Sequence, residues 1–93
     1  MTEDEVKKCF RKIVKYGCIQ PSMHCRERML ERQINMDDIL YVLLWGIVTD
    51  IEYSKDHNSW QCKVQGKDID GESLVFAAGI YEDCQAVRCI TVY

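Results

Sequence analysis

Apolar residues recur at helical spacing up to Trp45 and at strand spacing from Ile47 onward, with Gly46 at the changeover. A period of 3.6 residues specifies helices with one buried stripe, and a period of 2 specifies strands with one buried face. Because the two periods are segregated, the chain has to pack helices against a sheet built from its second half. That order defines an α+β fold rather than alternating βαβ units.

The first half divides into three helical segments. Thr2 followed by Glu5 is a capping box, and it predicts a helix from about Glu3 to Tyr16 that stops at Gly17. Val6, Cys9, Phe10, Ile13 and Val14 make its apolar stripe, while Lys8, Arg11, Lys12 and Lys15 line the opposite face. Pro21 keeps Cys18 to Pro21 short and extended. Ser22 caps a second helix, with Cys25 and Met29 turned to the core. Asn35 with Asp38 caps a third, whose apolar surface (Ile39, Leu40, Val42, Leu43, Leu44) is broad.

The second half reads as four strands. Ile47 to Tyr53 is followed by a turn at Lys55–Asn58, then by alternation of Trp60, Cys62 and Val64 with polar neighbours. Asp70–Gly71 marks a hairpin. Leu74 to Ile80 is nearly all apolar, the pattern of a central strand covered on both sides. Glu82–Asp83 turns the chain into a last strand from Ala86 to Tyr93. The expected architecture is three helices followed by a four-stranded antiparallel meander, in a single domain over residues 1–93.

Charge narrows the function. Residues 1–33 carry eight Lys/Arg and five acids, whereas residues 34–93 carry four and ten, for a net −3. An acidic chain is a poor tight binder of nucleic acid, although a basic front face can steer a polyanion to one side. The apolar runs are too short to span a membrane, and the acidic start Met1–Glu5 does not suit a secretory signal. A cytoplasmic setting and six reduced cysteines are expected. With neither a C-x-x-C pair nor a histidine-rich cluster, no metal and no cofactor is expected.

One run stands out chemically. In the second helix His24, Arg28 and Arg32 fall at i, i+4 and i+8 on one stripe. Like charges at that spacing weaken a helix by roughly 0.2–0.5 kcal/mol, so the stripe is a poor choice for stability alone. It suits gripping a phosphate or carboxylate while a nearby group moves a proton. The alternative is structural, with His24 bonded to backbone and the arginines paired with Glu27, Glu31, Asp50 or Glu52.

The segment His24-x-x-x-Arg28-Met29-x-x-Arg32-x-Ile34, then Gly46, Val64-x-Gly66-Lys67-Asp68-x-Asp70-Gly71 and the terminal Thr91-Val92-Tyr93 resembles the small bacterial domain of unknown function 4258. The resemblance covers residues 20–93 and makes residues 1–17 an added N-terminal helix. That family is similar to RelE/BrnT-like toxins. The resemblance therefore implies a RelE-like arrangement of helices on a curved antiparallel sheet. It also implies a toxin-like domain with metal-independent ribonuclease activity of the mRNA interferase type. RNA and an antitoxin protein are the implied partners. His24, Arg28, Arg32 and Tyr93 are the expected catalytic set, with Thr91 as another hydroxyl donor. The competing expectation is a non-enzymatic interaction module or a homodimer. Gln33 stands where the family usually has Gly, and Cys25 where Ala is common. The acidic second half also departs from the basic character of ribosome-dependent toxins.

Overall fold

The computed structural model describes residues 1–81 and 86–92. The elements are α1 (Glu3–Tyr16), β1 (Cys18–Pro21), α2 (Met23–Arg32), α3 (Met36–Trp45), β2 (Ile47–Ser54), β3 (Ser59–Lys67), β4 (Ser73–Tyr81) and β5 (Ala86–Val92).

Local signals account for the helix boundaries. At α1, the Glu5 N–H donates to Thr2 Oγ1 (3.2 Å) and the Thr2 N–H to Glu5 Oε1 (3.0 Å), closing the capping box. The Thr2 bonds to the Glu5 carboxylate hold its pKa below the ordinary glutamate value. Asn35 and Asp38 form the equivalent box at α3, with bonds of 3.0 and 3.1 Å. Asp38 is buried, and its second oxygen also accepts from the Ile69 N–H at 3.4 Å, tying the start of α3 to the β3–β4 connection. Ser22 caps α2 by accepting from the Cys25 N–H (3.0 Å) while its own hydroxyl donates to the Ile90 carbonyl at 2.7 Å. The cap of α2 is therefore bolted to β5.

Gln33 ends α2 in the left-handed region, at φ 56° and ψ 43°, with its N–H directed at the Leu30 and Met29 carbonyls. The left-handed turn that glycine adopts most readily is thus made with glutamine in it. A side chain at that conformation costs about 1–2 kcal/mol, of which glycine's extra chain entropy would return part. Gln33→Gly should raise stability by about 0.5–1 kcal/mol in a denaturant titration, since Gln33 is exposed and gives up no packing. Gln33→Ala should bring no such gain.

The expected sheet needs correction. It has five strands, in the order β1-β5-β4-β3-β2, and it is mixed. β2 to β5 pair antiparallel with their sequence neighbours, but β1 adds a parallel edge against β5, from Cys18 opposite Ala86 to Pro21 opposite Cys89. Pro21 is tolerated because an edge strand does not need every N–H. The pairing joins residues nearly seventy positions apart, which no local pattern encodes. The expected Glu82–Asp83 turn lies outside the described residues, as do Cys84 and Tyr93.

All three helices serve one core. Val6, Phe10 and Ile13 of α1, Cys25 of α2, and Ile39, Val42 and Leu43 of α3 are buried together with Cys62, Val64, Leu74, Phe76, Ala78, Ile80, Val87, Cys89 and Val92 of the sheet. Those strand residues share one face by the period-2 rule, except that a register shift between β4 and β5 brings Val92, three residues after Cys89, onto it. β4 is central, as expected, yet it is covered by helices on that face only. Its other face carries Ala77 and Gly79 toward an open concavity.

Candidate functional site

The α2 stripe is presented outward. His24, Arg28 and Arg32 are all exposed, because Cys25 and Met29 on the adjacent stripe turn to the core. Arg28 Nη1 lies 3.7 Å from Glu31 Oε2 across one helical turn, an exposed pair worth about 0–1 kcal/mol. None of these three residues lines any of three hollows formed by the described residues, on the sheet face, between α1 and α3, and beside α2. Tyr93, the fourth expected member, lies outside the described residues.

A different set of polar groups converges on the sheet face away from the helices. A hollow of about 610 Å³ is lined by His57, Ser59, Gln61, Ala77, Gly79, Arg88, Ile90 and Thr91. Strand register builds it. Glu52 opposes Gln61, Gln61 opposes Gly79, Gly79 opposes Arg88, and Arg88 opposes Gln20. In-register neighbours share a face, so one row of polar side chains crosses all five strands with a glycine at its centre. A Cβ at Gly79 would sit 3.6 Å from Ile90 Cδ1 and 3.7 Å from Ser59 Oγ. Glycine there is not forced by crowding. Its effect is to leave the floor open between the Gln61 amide and the Arg88 guanidinium. The next row, Lys63–Ala77–Thr91, continues the face, with Lys63 Nζ 3.7 Å from Asp50 Oδ2.

His57 enters from the β2–β3 turn. Ser54 Oγ and His57 Nδ1 are 2.9 Å apart, a contact that orients the ring and leaves Nε2 as the nitrogen for a ligand. Asn58, at φ 49°, shapes the same turn, and Tyr53 Oη donates to its side-chain oxygen. The Tyr53 and Trp60 rings meet edge-on at 5.4 Å beside it. A planar guanidinium, an imidazole, an amide and two hydroxyls around one cavity can hold a phosphate-sized anion and move a proton.

Sequence reasoning placed Thr91 beside His24, whereas the structure places it with Arg88. It read His57 as a turn residue and passed over Arg88 and Gln61. The available signal was an isolated Gly79 in an otherwise apolar strand, which marks a bulge or an approach point, and a lone arginine inside the last strand.

The cysteines divide by environment. Cys25 and Cys89 are buried with Sγ atoms 2.7 Å apart, joining α2 to β5. Burial raises both thiols' pKa, and it pushes Cys62 up to about 12, so these groups are unreactive at neutral pH. The expectation of reduced thiols is corrected at Cys9, which is disulfide-bonded. Among the described residues, no group of three or more His, Cys, Asp or Glu is placed to hold a metal. Nor is any helix among them long and apolar enough to cross a membrane.

Fold and site together define an α+β domain with helices on one face of a mixed sheet and a polar hollow on the other. Residues 22–93 match the family model described as Domain of unknown function (DUF4258), and the chain belongs to that family. The match leaves α1 outside it. No curated protein and no solved structure matches the chain.

Proposed function

We propose that this protein is an RNA-directed, toxin-like domain that cleaves phosphodiesters without a metal, and that its site is the sheet-face hollow. The observation carrying this reading is the row Gln61–Gly79–Arg88, which sets a guanidinium beside an open floor with His57 on the same hollow. Metal-independent RNA cleavage requires a group to move the 2′-hydroxyl proton and a cation to hold the phosphorane charge. In this reading His57 takes the 2′-hydroxyl proton as the 2′-oxygen attacks phosphorus, the bond to the 5′-oxygen breaks to leave a 2′,3′-cyclic phosphate, and the same imidazolium or water returns a proton to the leaving 5′-oxygen, while Arg88 holds the phosphate in bidentate fashion and Gln61 and Thr91 orient it. The hollow's size, within the range of small-ligand sites, accommodates a nucleotide. The RelE/BrnT kinship and an antitoxin partner belong to this proposal.

The α2 stripe supplies the rival catalytic set. One cleavage assay on a mixed-sequence RNA oligonucleotide, with folding checked by circular dichroism, separates the two. Arg88→Ala and His57→Ala should each lower the rate by about 10²-fold, a usual loss for one charge-stabilising or proton-moving group. His24→Ala should leave it within about twofold. Loss of cleavage in His24→Ala alone would move the site to α2. An inert wild-type protein that also fails to bind the oligonucleotide would end the RNA reading altogether.

A further inference from the structure

A second surface, unrelated to the sheet face, lies where α1 crosses the end of α3. Val14 and Tyr16 of α1 and Leu44 and Trp45 of α3 give the apolar lining of a groove of about 550 Å³, and Arg11, Lys12 and Lys15 give its basic lining. Tyr16 is 84% exposed and Trp45 73% exposed. Ile47, just beyond, is 64% exposed. Contiguous large apolar side chains left in water on a domain this small mark a contact surface.

Charge identifies the occupant. The chain as a whole is acidic, yet these three cations stand together on the face of α1 that carries Lys8. The ion pairs found among the described residues, Arg28–Glu31 and Lys63–Asp50, do not involve them. Arg11 also presses its charge on Lys7, whose pKa it helps to lower after burial. Arg11, Lys12 and Lys15 thus form no ion pair among the described residues. Residues 8 to 15 of a helix span about 10 Å, two turns, which matches carboxylates spaced i, i+4 along an incoming helix.

We propose that this groove docks an acidic amphipathic helix of a partner protein, with its apolar face on Trp45, Tyr16, Leu44 and Val14 and its carboxylates on Arg11, Lys12 and Lys15. The aliphatic part of the lining favours a helix over a nucleic acid. Stacking on Tyr16 and Trp45 would serve bases, but Val14 and Leu44 offer bases nothing, whereas Leu-type anchors at i, i+3, i+4 and i+7 fill such a groove. Five of the seven lining residues come from α1, outside the family match, so the partner is particular to chains that carry this helix. The inference does not depend on the RNA reading.

The test uses the whole chain, isotopically labelled and followed by amide chemical shifts. It is titrated with a synthetic 16-residue helix carrying Leu on one face and Glu on the other. Binding should be micromolar, with shifts confined to the C-terminal half of α1 and the last turn of α3. Trp45→Ala and the double change Lys12→Glu, Lys15→Glu should each weaken it at least tenfold, and all three positions are exposed, so the fold is kept. The proposal is overturned if the Glu peptide leaves these amides unmoved. Equal binding by a scrambled peptide without an apolar face also overturns it, since charge alone would then suffice. So does tighter binding of a uridine oligonucleotide to the same amides, or a dimer by sedimentation that buries Trp45 in the free protein.

Discussion

Gly46→Ala should destabilise the domain by about 3 kcal/mol or more, the upper end of the overpacking range. Gly46 ends α3 with an extended backbone, φ −79° and ψ 172°, a conformation open to any residue. Its requirement is space. A Cβ there would lie 2.5 Å from the Val42 carbonyl oxygen and 2.9 Å from that of Gln65. Both are backbone atoms and cannot swing aside. Gly66 faces it across the same gap, where an added Cβ would come within 3.2 Å of the Gly46 Cα. The end of α3 and the end of β3 therefore touch backbone to backbone, and a methyl group has to push the helix off the sheet. In a domain whose total stability is of order 5–15 kcal/mol, the melting temperature should fall by roughly 10 °C or more. Gly71→Ala is the control. Its φ of +87° makes alanine strained, but nothing lies within 4 Å, so the loss should stay near 1 kcal/mol. Equal losses at the two positions would refute the close-approach argument.

Lys7→Met should cost about 2 kcal/mol, and its effect should concentrate on the docking of α1. Lys7 Nζ donates to the carbonyls of Gly46 (2.7 Å), Leu44 (3.1 Å) and Leu43 (3.4 Å). These are the orphan acceptors at the end of α3, where the helix dipole also favours a positive charge. Hydrogen bonds to charged groups contribute about 1.5–3 kcal/mol each where an acceptor would otherwise be left bare. Burial, and then the charge of Arg11, lower the lysine's pKa, a cost that offsets part of the gain and sets the expected net near the lower end. Methionine keeps the apolar stem and removes only the ammonium. A lower denaturation midpoint with faster amide exchange in α1 and the last turn of α3 would bear this out. An unchanged midpoint would mean that water caps those carbonyls equally well.

The two predictions meet at one junction that the sequence marks only as a change of period at Gly46. Gly46 does stop α3, but for a reason seen only when β3 lies beneath it. Gln33 shows the converse. A residue other than glycine stands at the turn after α2, and the left-handed turn forms regardless, with the strain held locally. The α2 stripe shows how far a periodicity argument reaches. It places His24, Arg28 and Arg32 on one line of the helix, and they are there. It cannot say whether that line faces a cavity, and it faces solvent.

The sequence by itself determined the elements whose causes are local. The capping boxes at Thr2–Glu5 and Asn35–Asp38, the cap at Ser22 and the switch of period at Gly46 all depend on residues a few positions apart, and so did the α+β class. Only the tertiary structure decided that β1 joins the sheet in parallel, that the helices gather on one face, and that Gln20, Arg88, Gly79, Gln61 and Glu52 form a single row. Register between distant strands is selected by the packing of the whole core, since a slip of one residue exchanges the two faces of a strand.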